Sequence, residues 1–181
     1  GTTILYLNPV SKSFSSHRYD TGDYKTPDPM LGTMADFKAM CDAAHQHGIK
    51  VILDGVYSHT GSDSLYFNKY NHFSGKGAYQ STESPYISWY TFHHWPHNYN
   101  SWWNFDTLPT VNKMDPEFIK YIITDEDSVI AHWLKAGAEL DSVMNYPFRT
   151  AIINFMRGWD SGHGLKETVM SIVENYPREV W

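Results

Sequence analysis

Two short apolar runs, each stopped by a polar residue, set the limits on what this chain can fold into. Thr2-Thr-Ile-Leu-Tyr-Leu7 ends at Asn8-Pro9, and Ile49-Lys-Val-Ile-Leu-Asp54 ends on a carboxylate. Runs of this length rich in Ile, Val and Leu read as buried strands. Between them, Thr33-Met-Ala-Asp36 has the spacing of a capping box with aspartate in place of glutamate. Phe37, Cys41 and Ala44 follow at helical spacing until Gly48, so a helix is predicted from Thr33. Strand, helix and strand in this order form a βαβ unit with parallel pairing. The stretch from Phe14 to Pro29, polar and carrying Pro27 and Pro29, reads as a long loop at the C-terminal end of the first strand.

From Gly61 to Asn112 no period of 2 or 3.6 persists, yet Tyr86 to Phe105 holds nine aromatic residues. That combination marks an insertion with its own chemistry. Asp115-Pro116 offers an N-cap followed by proline at N1, opening a helical segment expected to restart near Thr124 or Asp125 and to stop at Gly137. Beyond it, Ala138 to Val143 reads as a short strand. A helix from Pro147 through Met156, a Gly-rich break and a helix from Leu165 to Asn175 complete the chain. The expected organisation is 1–60 as the first part of an incomplete barrel, 61–114 as the insertion and 115–181 as the remainder.

Fourteen basic residues against twenty acidic ones give a net charge of -6, which removes the electrostatic reason for a nucleic-acid or anionic-membrane partner. No apolar run reaches the ~20 residues of a membrane span, and the N-terminus lacks a signal-peptide layout. A soluble chain, mature or truncated, is the expectation, with its compartment open. Cys41 alone cannot form an internal disulfide. His93, His94 and His97 suggest a metal pair at helical spacing, but Pro96 breaks the helix that would align them, and no metal is expected there. Asp54 at the end of a buried strand, with His59 five residues on, stands where α/β folds place their sites. Asp54 capping a loop and His59 solvated is the competing reading. The aromatics of the insertion serve either as its core or, mixed with Asn98, Asn100 and Asn104, as flat faces of a sugar cleft.

Several segments together resemble the alpha-amylase superfamily of glycoside hydrolases, within it the neopullulanase, cyclomaltodextrinase and maltogenic amylase group. Leu5-Tyr-Leu-Asn-Pro9 resembles the second barrel strand, and His17-Arg-Tyr-Asp-Thr-Gly-Asp-Tyr24 with Asp28-Pro-Met-Leu-Gly-Thr33 the loop after it. Val51-Ile-Leu-Asp-Gly-Val-Tyr-Ser-His59 is similar to the conserved region on the third strand, and Leu108-Pro-Thr-Val-Asn112 to the Met-Pro-Lys-Leu-Asn motif of domain B. Leu140-Asp-Ser-Val-Met-Asn-Tyr-Pro-Phe148 is similar to the sixth-strand region. The resemblance implies an α/β fold: a truncated (β/α) TIM-barrel-like parallel sheet with a domain-B-type insertion after the second strand of the chain.

It further implies that Tyr19 stacks on a glucose unit, that His59 bonds its hydroxyls and that Asp54 orients the catalytic groups; Trp102, Trp103 and Asn112 are expected to hold sugar beside them. Ser58 stands where the family usually has an asparagine that often serves a calcium site, so no cofactor is required and calcium has weak support. The larger departure lies after Trp133-Leu-Lys-Ala-Gly-Ala138. The family continues there with a Gly-Trp-Arg-Leu-Asp strand carrying the nucleophile and a Glu-Val-Trp type region carrying the general acid, whereas here Ala138 runs into Glu139-Leu-Asp-Ser-Val-Met. An internal deletion accounts for this.

Retaining hydrolysis needs two carboxyl groups about 5–5.5 Å apart. Glu139 and Asp141, two residues apart on a strand, would share one face with Cβ atoms ~7 Å apart. Asp141 either takes the nucleophile position, with Glu139 in place of the arginine, or is the inherited residue of the sixth strand. A full barrel takes ~250 residues, so a chain of 181 leaves sheet edges and an apolar face open. A homodimer, with exchanged elements, would cover them. Expected partners are an α-glucan and a second copy. The expected function is hydrolysis of α-1,4-glucosidic bonds in starch, maltooligosaccharides or cyclodextrins, with a non-catalytic glucan-binding remnant as the alternative.

Overall fold

The computed structural model describes residues 1–138. Strand β1 (Ile4–Leu7) runs parallel to a second core strand at Lys50–Leu53, pairing Leu5 with Val51 and Leu7 with Leu53. The Asp54 N–H donates to the Leu7 carbonyl at 2.9 Å, extending the ladder by one residue and fixing where that carboxylate leaves the sheet. Helix α1 (Met34–Gln46) connects the two strands, as the sequence predicts. Its capping box is complete: Thr33 Oγ1 accepts from Asp36 N, and Asp36 Oδ2 accepts from Thr33 N at 2.8 Å. Phe37, Cys41 and Ala44 form its buried face. Gly48, at φ +68°, ends it in the left-handed conformation that a side chain would penalise.

The stretch expected to be a loop is not one throughout. Strands β2 (Ser11–Ser13) and β3 (Thr21–Pro27) pair antiparallel. Their sequences, Ser-Lys-Ser and Thr-Gly-Asp-Tyr-Lys-Thr-Pro, lack the apolar alternation of a half-buried strand. The buried ring of Tyr24 anchors β3 instead. Its backbone N–H donates to Tyr66 Oη at 3.0 Å, its hydroxyl donates to the Val56 carbonyl at 2.9 Å, and its carbonyl accepts from Trp133 Nε1 at 2.7 Å. β4 (Lys50–Leu53) follows α1.

After His59 the chain departs on the long excursion and returns beside its point of exit. Val111 N donates to the Ser58 carbonyl at 3.0 Å, Thr60 N to Pro109 O at 3.1 Å and Ser62 N to Thr107 O at 2.8 Å, and His59 and Thr110 form a β-bridge. Within the excursion, β5 (Phe92–His94) and β6 (Asn98–Tyr99) form a hairpin. Buried Asn68 pins the 68–75 turn by donating to the carbonyls of Phe73 and Gly75 at 2.9 and 2.8 Å. The aromatics span the range: Tyr66, Phe67, Trp89 and Tyr90 are buried, Tyr79, Tyr86, Phe92 and Tyr99 are half-buried, and Trp95, Trp102, Trp103 and Phe105 are exposed.

Asp115 caps α2 (Pro116–Ile119) by accepting from Phe118 N at 2.9 Å, with proline at the first turn as expected. The segment continues as a π-helical turn over Lys120–Thr124, which Asp125 closes by donating to the Lys120 carbonyl. The next helix therefore starts later than the predicted Thr124 or Asp125. Ser128 caps α3 (Val129–Lys135), and Gly137 terminates it at φ +107°, where a Cβ would lie 2.8 Å from Cys41 Cβ. The strand and helices expected after Ala138, with Glu139 and Asp141, lie outside the described residues.

Phe118 is fully buried and meets Trp89 edge-on at 5.0 Å. Phe118→Ala is expected to cost about 3–5 kcal/mol, read as a lower urea midpoint at unchanged slope. A loss below about 1 kcal/mol would show that this ring contributes little to the core.

Candidate functional site

The site is built around Tyr19, which its surroundings hold at three points. Its hydroxyl donates to Asp54 Oδ2 at 3.0 Å, its N–H donates to His17 Nδ1 at 3.1 Å, and its carbonyl accepts from His59 Nε2 at 3.1 Å. Ser58 Oγ lies 2.9 Å from the other His59 nitrogen. Since Nε2 faces a carbonyl it carries the proton, and Nδ1 accepts from the serine. The loop bearing Tyr19 is tied down by Arg18, which reaches the buried Asp28 Oδ2 at 3.1 Å through a partly buried ion pair. The phenol ring itself is partly open to solvent.

Asp54 emerges from the C-terminal end of β4 and is followed by a glycine for a steric reason: a Cβ at Gly55 would sit 2.5 Å from the Tyr57 ring. Burial, with a smaller contribution from the Asp54 charge, pushes the Tyr57 hydroxyl up to about 12. Burial also raises Tyr19, reinforced by the hydrogen bond to Asp54 and its charge. Burial holds His59 below its ordinary range; the Tyr19 carbonyl and Asp20 oppose this, and Lys113 adds to it. Burial likewise lowers Lys113, so a cation of reduced proton affinity stands near the histidine.

A ladder of rings runs outward from His59. Its ring centroid lies 5.4 Å from that of Trp102, which is 5.9 Å from Trp103 and 6.3 Å from Phe105. Trp102, Phe105 and Trp103 are 42%, 56% and 78% exposed. Tyr19, Asp54, His59 and Trp102 are thus brought together, with Trp103 one ring further out. Asn112 lies where the excursion re-enters. Its side chain accepts from Met114 N at 3.2 Å, and its own N–H donates to the Trp89 carbonyl. Sequence reasoning missed Tyr57, Lys113 and Phe105, although all three lie inside or beside segments it singled out.

His93, His94 and His97 lie on and beside the β5–β6 hairpin, not on a helix. His93 Nε2 meets Asn100 Oδ1 at 2.7 Å and His97 Nδ1 meets Tyr79 Oη at 2.8 Å. Among the described residues no three His, Cys, Asp or Glu side chains gather as a metal set. Ser58, which the resemblance sets where an asparagine is usual, directs its hydroxyl to His59 Nδ1.

Two titrations check this geometry. With Asp54→Asn, the Tyr19 phenol is expected to titrate at lower pH than in wild type, by 13C NMR assigned with Tyr19→Phe, because both Asp54 effects raise it. An unchanged midpoint would show the pair is not formed. For His59, depressed in the folded state, the unfolded chain binds the extra proton first. Stability is therefore full above the unfolded value of about 6.5 and falls as pH drops through the window down to the folded midpoint. His59→Asn should flatten that part of the stability profile measured by urea unfolding; an identical slope in both proteins would mean His59 is not held neutral.

The alpha amylase catalytic-domain family matches residues 1–118. An amylopullulanase of Thermoanaerobacterium thermosulfurigenes is 32% identical over 253 aligned positions, covering 98% of this chain and 14% of that protein. Neopullulanase 2 of Thermoactinomyces vulgaris is 32% identical, covering 77% of this chain and 23% of that protein. Among solved structures, a debranching enzyme from Nostoc punctiforme superimposes with a TM-score of 0.65 at 35% identity, covering 76% of this chain and 28% of the other. The chain thus spans well under a third of each of these relatives. Matched through the strand that ends on Asp54, the His59 segment and the aromatic excursion, the chain belongs to the alpha-amylase family.

Proposed function

We propose that this chain acts in hydrolysis of α-glucans, cleaving α-1,4-glucosidic bonds of starch, maltooligosaccharides or cyclodextrins. The observation that carries this reading is the three-point hold on Tyr19 beside Asp54. It presents a phenol face, fixed before any sugar arrives, at the C-terminal end of a buried parallel strand. Tyr19 stacks on the sugar at the reacting position, Trp102 and Trp103 take flanking units, and Asn112 lines the approach. His59 reaches a sugar hydroxyl by exchanging it for the Tyr19 carbonyl.

Bond cleavage requires a carboxylate that attacks the anomeric carbon while a carboxylic acid gives its proton to the departing glycosidic oxygen. Water then hydrolyses the glycosyl ester and returns the proton. Asp54 orients; Asp141 is the proposed nucleophile, with Glu139, two residues before it in the sequence, in the place of the arginine. No cofactor is needed for this chemistry. A homodimer with exchanged elements would cover the open sheet edge and bring carboxylates from two chains to one cleft. Uncharged glucans suit a chain with a net charge of -6. Among the described residues no helix is long and apolar enough to cross a membrane.

A second reading, a glucan-binding remnant without turnover, is favoured by one observation. The match to the amylopullulanase runs over 253 positions, more than the 181 residues of this chain, so that relative has residues with no counterpart here.

The deciding experiment is reducing-sugar release from soluble starch and cyclodextrin by purified protein, beside Asp54→Asn and Asp141→Asn. Turnover lowered at least about 100-fold by either substitution supports hydrolysis through these carboxylates. Turnover untouched by both overturns their roles, and glucan binding without turnover supports the remnant.

A further inference from the structure

The turn at Trp102–Asn104 combines two features that a folded chain normally avoids. Trp103 lies in the left-handed region at φ +52°, ψ +31°, and Asn104 follows at φ +62°. Asparagine tolerates that conformation, but for a bulky residue such as tryptophan it is a strained outlier. The ring held there is not buried in exchange. At 78% exposure Trp103 is far more open than Trp102, which lies among His59, Trp103 and Phe105. Backbone strain retained while the largest apolar side chain faces solvent is the pattern of a pre-organised ligand contact.

The turn is also firmly set. Trp102 N donates to the Leu108 carbonyl at 2.9 Å, Phe105 N to Trp102 O at 3.0 Å and Leu108 N to Phe105 O at 2.9 Å. Ser101 bridges to Pro109 in the strand that returns to His59. Trp103 is therefore attached rigidly to the site while lying two ring-to-ring steps, of 5.4 and 5.9 Å, from His59.

We infer that Trp103 is a chain-length selector: its indole stacks on a glucose unit of an α-glucan beyond those held at Tyr19 and Trp102, so long oligosaccharides are held more tightly than short ones. This rests on the α-glucan reading above and deepens it. The occupant is a sugar chain because the platform is continuous, through Trp102, with the ring of His59. Trp102 has two parts: it holds the preceding unit, and its ring, 5.4 Å from His59 and 5.9 Å from Trp103, joins the platform to the site.

The test uses the full 181-residue chain, with maltotriose and maltoheptaose as probes in calorimetry and a melting curve for each variant. Trp103→Gly is expected to weaken maltoheptaose about fivefold while leaving maltotriose within about twofold, since one stacked ring contributes on this scale. The same substitution should raise the Tm by about 2–4 °C, because glycine accepts the left-handed conformation without strain. Trp103→Phe should retain most of the long-chain preference. Unchanged maltoheptaose affinity in Trp103→Gly overturns the proposal, as does an equal loss for both sugars, which would make the ring a prop for Trp102. A wild-type dimer that becomes monomeric in Trp103→Gly by sedimentation would assign the ring to a protein interface and overturn it too. Wild-type protein that binds neither sugar refutes the α-glucan reading itself, whereas binding with no chain-length discrimination refutes only the selector.

Discussion

Everything else in the site hangs on Tyr24. Its backbone N–H, carbonyl and hydroxyl each face a different part of the molecule: Tyr66 in the excursion, Trp133 on α3 and the Val56 carbonyl in the loop that leads to His59. In a buried setting each of these polar groups would be costly to leave unpaired, so the three parts hold one relative position. Tyr66 passes the connection on to Tyr121 through their hydroxyls, 3.0 Å apart. A polar network of this kind adds less to net stability than a packed ring does. Its effect is to define one arrangement, and the site loop inherits that definition.

Within the candidate site this order is expressed through local electrostatics. Asp54 is the only carboxylate the described structure places on Tyr19, and His59 is kept neutral by burial. A neutral imidazole has one donor and one acceptor, and here the Tyr19 carbonyl and the Ser58 hydroxyl use both. The result is a phenol ring whose position is set before a ligand meets it, which reduces the ordering that binding would otherwise require.

Legibility from sequence followed the range of the interactions. The Thr33–Asp36 box and the Asp115-Pro116 start were readable because a cap is satisfied within three residues. Strand β3 was not, because neither it nor its partner β2 carries apolar alternation, and Tyr24 is anchored by residues tens of positions away. The restart of the helix at Ser128, as α3, was hidden by a π-helical turn that local caps do not announce. Asp54 and His59 were singled out by their place at the end of a buried strand and Tyr19 through resemblance, but the clamp joining them depends on His17 and Ser58, whose roles appear only in space. The aromatic run from Tyr86 to Phe105 carried both readings at once: Trp89 is core and Trp103 is surface, and no period in the sequence separates them.

The neck where the excursion leaves and re-enters has an evolutionary consequence. Ser58 to Ser62 and Thr107 to Val111 already lie side by side, bonded backbone to backbone. The entropy of closing a loop between two such points grows only with the logarithm of its length, about 0.6 kcal/mol for each doubling. Lineages could therefore lengthen, shorten or exchange the segment between them at small thermodynamic expense while Asp54 and His59 stay in place. Diversification of the rim would then proceed by cassette, with the acceptor for the Tyr24 N–H and the ring packed on Phe118 among the features each replacement has to supply again.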